Sequence, residues 1–226
     1  TLEEVLDEVA QHGVFGAAFH AVLDRLQSNG QPKDQWAGTL VAQVGATLPE
    51  FSADLLSFLH DRLKVHLRDE GLRHDVIDAC LAMPGNDDLT LLVHRARALG
   101  DFLKTDDGEN LLQGFKRANN ILTQAEEKDG VEYSYGADVK FAETDEERAV
   151  FAALEAAEPA IASALKAEDF ARAMAAMAAL RAPIDAFFTA VQVNAESAVI
   201  RRNRLNLLSS IRNICLQAAD LTRIEG

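Results

Sequence analysis

Residues 144–180 read TDEERAVFAALEAAEPAIASALKAEDFARAMAAMAAL, and this composition predicts α-helix. Alanine, leucine, glutamate and arginine all have high helix propensity. Thr144 and Glu147 form the pattern of a capping box, in which each residue satisfies a free backbone amide of the other. Pro159 and the step at residues 167–169 predict either two helices or one kinked helix.

The rest of the chain continues this helical pattern. Apolar residues recur at helical spacing nearly everywhere, and the alternation typical of β-strands is almost absent. We therefore predict an all-α helical bundle. Its helices are expected at residues 2–26, 34–47 (ended by Pro49), 51–70, 74–83, 88–104, 107–125, from Pro183 onward, and 197–221.

The domain organisation follows from the breaks in this pattern. Residues 1–50 are predicted to be an N-terminal helical portion, and residues 51–226 a main helical domain. Residues 126–143 are charged, contain two glycines and lack a period, so we predict a loop or insertion there. Tyr133 and Tyr135 could attach this loop to the surface. Because the chain starts at Thr1 and not at Met, we expect a fragment of a longer protein.

Composition excludes several classes of protein. The 226 residues include 22 Lys and Arg against 36 Asp and Glu, a net charge of −14 at pH 7. This charge excludes general binding to phosphate backbones, so a nucleic-acid partner needs a local basic face. No apolar run approaches the roughly 20 residues of a membrane span. Two cysteines are too few for a disulfide scaffold, which agrees with a reducing cytoplasm.

Motifs that suggest catalysis have simpler interpretations. The pairs His60-Asp61 and His74-Asp75 resemble metal ligands of HD-type phosphohydrolases, but that chemistry needs further ligands on separate helices. An HD-type hydrolase would require a bound metal at His60 or His74. Asp75 instead suits the first turn of a helix, and both cysteines fall on apolar faces. No glycine-rich phosphate loop or serine nucleophile motif is present. We predict no catalytic residue, metal or cofactor in this chain.

A first basic helix face lies in residues 111–122, LLQGFKRANNIL. At about 100° per residue, apolar side chains share one face, and Gln113, Lys116, Arg117 and Asn120 gather opposite. Cations of this kind hold phosphates, and amides reach base edges. The alternative is an ordinary solvated helix face.

A second basic face lies in residues 194–208, NAESAVIRRNRLNLL. Residues 195–226 carry five arginines against three acidic residues, a local charge of +2. Arg204 points into the buried arc of the helix, where we expect it to pair with a carboxylate of a neighbouring helix. The open side is predicted to carry Arg202, Asn206, Ser209 and Asn213, with Arg201 and Arg212 at its edge.

The two segments, in this order and at this separation, resemble the C-terminal region of the β subunit of bacterial two-subunit glycyl-tRNA synthetase. The matching stretches are FLHDRLKVHLRDEGLRHDVIDA (58–79), RARALGDFL (95–103), KRANNIL (116–122), LRAPIDAFF (180–188), VNAESAVIRRNRLNLL (193–208) and the final ADLTRIEG. Thr189 and Gln192 depart from residues common in this family, which weakens the assignment of individual residues more than that of the family.

The resemblance implies that residues 51–226 are an α-helical anticodon-binding domain similar to that of arginyl-tRNA synthetase. Residues 1–50 would be the end of an upstream HD-like domain or a linker. The enzyme of this family is a cytoplasmic aminoacyl-tRNA synthetase, a ligase that attaches glycine to its tRNA, with ATP and magnesium at the α subunit. Implied partners are glycine tRNA, the α subunit and the remaining β-subunit domains, with no membrane and no DNA.

The predicted tRNA contacts are Lys116, Arg117, Asn120, Asn194, Arg201, Arg202 and Asn206. Asn203 and Arg204 match the family's asparagine-arginine-leucine step, but their positions on the helix indicate support of the fold. The alternative function is a structural or subunit-assembly module of the same synthetase, in which the arginines bridge helices without reading an anticodon.

Overall fold

The computed structural model describes the backbone of residues 36–225 and side chains from residue 52 onward, so the helix predicted at residues 2–26 lies outside it. The helices are α1 Trp36–Asp69, α2 His74–Leu81, α3 Leu89–Phe102, α4 Asp106–Asp129, α5 Asp145–Lys166, α6 Phe170–Ala178, α7 Arg181–Ala190 and α8 Ala198–Leu216. Short 3₁₀ turns occupy Val139–Phe141 and Leu221–Arg223. The residues described contain no β-strand, and the all-α prediction is confirmed.

Three prolines of the described residues lie inside helices, one of them Pro183 near the start of α7. α1 continues through Pro49, so the helix end predicted there is wrong, and α5 contains Pro159. A proline removes one backbone donor and kinks a helix, but it does not force the helix to end. The chain instead leaves the helix between α5 and α6, where Glu168 adopts a left-handed φ of 58°.

A capping box and a left-handed glycine set the ends of the helices on either side of the loop between α4 and α5. The capping box predicted for α5 is present: the Thr144 hydroxyl accepts from the Glu147 amide (3.2 Å), and the Glu147 carboxylate accepts from the Thr144 amide (2.9 Å). α4 runs four residues past its predicted end at Ala125 and stops at Gly130, whose φ of 65° favours glycine. The loop therefore begins at residue 130.

The core of the unit Leu63–Gly226 is built around α4. This helix packs against α6, α7 and α8, while α5 packs on α6 and α7, and α2 on α3. The four residues predicted to share the inner face of α4 are each at most 1% exposed: Leu111, Phe115, Ala118 and Leu122. Residues 1–62 belong to a separate unit, and the predicted domain boundary at residue 50 stays a prediction.

The cysteines and Asp75 of the second His-Asp pair serve the fold. Burial raises the pKa of Cys80 and of Cys215 to about 12, so both thiols stay protonated, which confirms their prediction as core residues. Asp75 is buried and accepts from the backbone amides of Val76 (2.9 Å) and Glu225 (2.8 Å) and from the Arg73 guanidinium. Asp75 therefore holds the end of the chain against the start of α2.

One stretch is more apolar than predicted. Phe170–Ala190 is long and apolar enough, by length and composition alone, to cross a membrane. In the structure it forms two helices, α6 and α7, and Met177 and Phe187 lie fully buried in the core. The apolar residues that cover this core account for the composition of the stretch.

Candidate functional site

Arg204 lies at the centre of a buried ion pair. Its Nε is 2.7 Å from Oε1 of Glu147 at the start of α5, its Nη2 is 3.0 Å from the Glu143 carboxylate, and its Nη1 donates to the Gln192 carbonyl (3.0 Å). Burial raises the pKa of Glu147, but the hydrogen bonds from Arg204 and from two backbone amides outweigh it and lower the pKa. The predicted structural role of Arg204 is confirmed.

The loop after α4 is anchored at two points. Asn203 of α8 accepts from the Asp138 amide (2.9 Å) and donates to the Asp138 carbonyl (3.2 Å). Tyr133 is buried, and its hydroxyl donates to the Asp129 carboxylate (2.6 Å), which also pairs with Arg201 (2.7 Å). The hydrogen bonds from Tyr133 and Arg201 lower the pKa of Asp129. Tyr133 thus attaches the loop to the surface as predicted.

Tyr135 does not attach the loop, so that part of the prediction is wrong. Its side chain is 84% exposed, and the loop is held through Tyr133 and through the backbone of Asp138. The guanidinium of Arg202, itself exposed at the start of α8, lies over the Tyr135 ring, 5.7 Å from its centroid. The pair projects from the surface.

Two neighbouring cavities share Arg202 and Tyr135 as lining residues. One, of about 550 Å³, extends along residues 131–134 of the loop to Arg201. The other, of about 450 Å³, extends to Phe141, Val199 and Asn206. Both are open depressions of the surface and not enclosed cavities. The signal for this site in the sequence was Tyr135, an aromatic residue in a largely charged loop, and Tyr135 was not among the predicted tRNA contacts.

The predicted open side of α8 is wrong for two residues. Asn206 is 5% exposed and Ser209 3% exposed. The 3₁₀ turn Val139–Phe141 packs against α8. A helical wheel of α8 alone cannot show this contact. The Oδ1 atom of Asn206 is buried without a hydrogen-bond partner.

The first basic face lies on the solvent side of α4. Arg117 and Asn120 are exposed, and Lys116 is half-buried. The Arg117 guanidinium lies 4.6 Å from the ring centroid of Phe188 on α7. A guanidinium stacked on a ring is held in position while its N–H groups point outward in its plane, as phosphate binding requires.

The arginines of the second face divide into two groups. Arg201 and Arg212 pair with Asp129 (2.7 Å) and Glu126 (3.1 Å) of α4, so their charges are locally compensated. Arg201 also donates to the exposed side chain of Asn194 (3.1 Å). Arg202 is held by an aromatic ring instead of an acid.

Arg117 and Arg202 therefore share one arrangement, an exposed guanidinium on an aromatic ring. Twelve residues of α4, about 18 Å of helix, separate Arg117 from Asp129, beside which the second face begins. The structure brings Arg201, Arg202 and Asn194 together with the loop, and it holds Lys116, Arg117 and Asn120 farther along α4.

Comparison with known proteins connects this surface to a family. A family model described as the DALR anticodon binding domain matches residues 111–225, about half of the chain, including both basic faces and the loop.

Several curated relatives carry the name glycine–tRNA ligase beta subunit. The relative from Dinoroseobacter shibae is 80% identical over 207 residues, 92% of this chain and 28% of its own length. That from Cereibacter sphaeroides is 79% identical over 176 residues, 78% of this chain and 25% of its own length. That from Rhodospirillum centenum is 51% identical over 187 residues, 82% of this chain and 26% of its own length. The chain thus spans about a quarter of the length of these relatives, and the resemblance drawn from the sequence is confirmed.

Proposed function

Because the chain belongs to the family of DALR anticodon-binding domains, we propose that it binds the anticodon region of glycine tRNA as part of the β subunit of a glycine–tRNA ligase. The observation that carries this proposal is the position of the two ring-supported arginines inside the matched segment. The chain positions tRNA and contributes no catalytic group. Cytoplasmic location and partnership with the α subunit and the other β-subunit domains belong to the same proposal.

The ATP and magnesium of the ligase reaction are assigned to the α subunit. Among the side chains that the structure describes, no group of three or more His, Cys, Asp or Glu could hold a metal ion. In this proposal the chain contributes contacts to the tRNA.

Binding would combine phosphate and base contacts. Arg117 and Arg202 hold phosphates of the loop, with Lys116 and Arg201 beside them, and the amides of Asn120 and Asn194 reach base edges. The net charge of −14 limits this attraction to the local basic surface, so binding elsewhere on the chain is disfavoured.

Binding of this chain to glycine tRNA at two salt concentrations tests the proposal, beside the same tRNA with its anticodon exchanged. We expect affinity to fall as salt rises and to be higher for the native anticodon. Equal binding of both tRNAs would mean that the chain contacts the phosphate backbone of the tRNA without recognising the anticodon bases. Absence of binding to either would favour the assembly function.

Replacing Arg117 tests one phosphate contact. Arg117→Ala is expected to weaken tRNA binding about three- to tenfold and to reduce the slope of log affinity against log salt by about 0.7 to 1. The control is Arg97→Ala on α3, which removes the same charge from an exposed ion pair between Arg97 and Glu70. If both variants bind alike at every salt concentration, Arg117 makes no contact with tRNA.

The assembly module stays the second candidate, because Arg201, Arg204 and Arg212 all bridge elements of the fold. It predicts that Arg117→Ala and Arg202→Ala leave tRNA affinity unchanged and weaken association with the α subunit. A pull-down with purified α subunit separates the two functions.

A further inference from the structure

We propose that the cavity lined by Tyr135, Arg202 and Asn206 is a subsite for one unstacked nucleobase, which stacks on Tyr135 and donates a hydrogen bond to Oδ1 of Asn206. The inference rests on the proposed function and adds to it the residues that hold a base. Three independent features of the cavity support it.

The first feature is the exposed aromatic ring. Tyr135 is 84% exposed, although the loop that carries it is anchored by Tyr133 and Asp138. An aromatic ring on a fixed support is the platform on which proteins stack bases of single-stranded nucleic acid. Arg202 lies against the same ring and places a cation where the phosphate of the stacked nucleotide would follow.

The second feature is the unpaired amide. Asn206 is 5% exposed, lines the cavity, and keeps its Oδ1 without a hydrogen-bond partner. Buried polar groups in folded proteins are nearly always hydrogen-bonded, so this acceptor is available to an N–H group of a base once the side chain turns toward the cavity. An asparagine amide offers both donors and an acceptor, and rotation of the amide presents either to a base edge.

The third feature is the mixture of walls. Phe141 and Val199 supply apolar surface for a base, and the Asp138 carboxylate is compensated by Lys140 (2.6 Å). The cavity therefore combines an aromatic platform, an amide and a cation without an uncompensated negative charge at its rim. This combination suits a nucleotide better than a purely anionic ligand.

A double-mutant cycle between Tyr135 and the RNA bases tests the subsite. Binding of the full chain is measured to glycine tRNA and to a series in which each anticodon-loop nucleotide is replaced in turn by an abasic one. We expect one abasic position to weaken binding to the unmodified protein about tenfold, and to change binding to Tyr135→Ala less than twofold. Tyr135→Phe keeps the ring and should retain the tenfold effect.

Asn206→Leu provides the second arm. It keeps much of the size of the side chain and removes the Oδ1 acceptor without adding a charge, so the loss of affinity caused by the same abasic position should shrink while the losses at other positions stay unchanged. Circular dichroism melting verifies that this buried variant is folded. Tyr135 is exposed, so its variants do not depend on that control.

Several results would overturn the subsite. If Tyr135→Ala binds glycine tRNA as tightly as the unmodified protein, Tyr135 does not stack on a base. The same follows if each abasic tRNA loses equal affinity for both proteins. If binding depends on salt and on the anticodon but does not change in the Tyr135 variants, the subsite is refuted and the proposed function is not. Absence of tRNA binding by the unmodified chain would refute both.

Discussion

The Gly108→Ala variant is expected to lose about 3 kcal/mol of the free energy of unfolding, although alanine is the better helix former. A Cβ atom at Gly108 would lie 2.0 Å from the carbonyl oxygen of Phe102 and 3.1 Å from the Cα atom of Leu103. Both neighbours are backbone atoms, so the connection between α3 and α4 must move. Urea unfolding followed by circular dichroism measures the loss.

Gly100→Ala is the matched control, because it makes the same substitution inside α3 where space is available. The nearest atoms to a Cβ there, on Leu72 and Val76, are 3.9 Å away. This variant is expected to gain about 0.5–1 kcal/mol through helix propensity. Equal stability of the two variants would mean that the close approach at Gly108 does not constrain the fold.

The Arg204→Met variant is expected to lose about 3–5 kcal/mol of the free energy of unfolding at pH 7. The substitution keeps much of the side-chain volume but leaves the Glu147 carboxylate, 1% exposed, without its charged partner. Removing one member of a buried pair costs more than the pair contributes, because the remaining charge stays desolvated. Urea unfolding measures the loss against Arg148→Met, whose exposed pair with Asp145 contributes less than about 1 kcal/mol.

The difference in the free energy of unfolding between Arg204→Met and the unmodified chain depends on pH. The pKa of Glu147 is lowered in the folded chain, so its contribution is present above the unfolded pKa of about 4.3 and is lost as pH falls through the folded pKa. We therefore expect the gap between Arg204→Met and the unmodified chain to narrow below about pH 4. A gap that stays constant from pH 7 to pH 3 would contradict the role of the Glu147 charge.

Much of the fold could be predicted from the sequence because its causes are local. Helix propensity and apolar spacing act within a few residues, and they identified the inner face of α4 and the inward direction of Arg204. The capping box of α5 needs only Thr144 and Glu147, three residues apart. Pro49 was misjudged because the tendency of proline to end a helix is statistical, and the helix continued.

The candidate site depends instead on residues that are distant in the chain. Asn203 anchors the loop at Asp138, 65 residues away, and Arg212 pairs with Glu126, 86 residues away. Asn206 is buried where the loop packs against α8, while Tyr135 of the loop stays exposed. Arg202 is the arginine of α8 that lies over an aromatic ring, that of Tyr135. The sequence by itself thus determined the helices, the family and the basic segments. The packing of α8 against the loop decided which side chains of those segments are exposed to solvent, because burial depends on neighbouring elements and not on one helix alone.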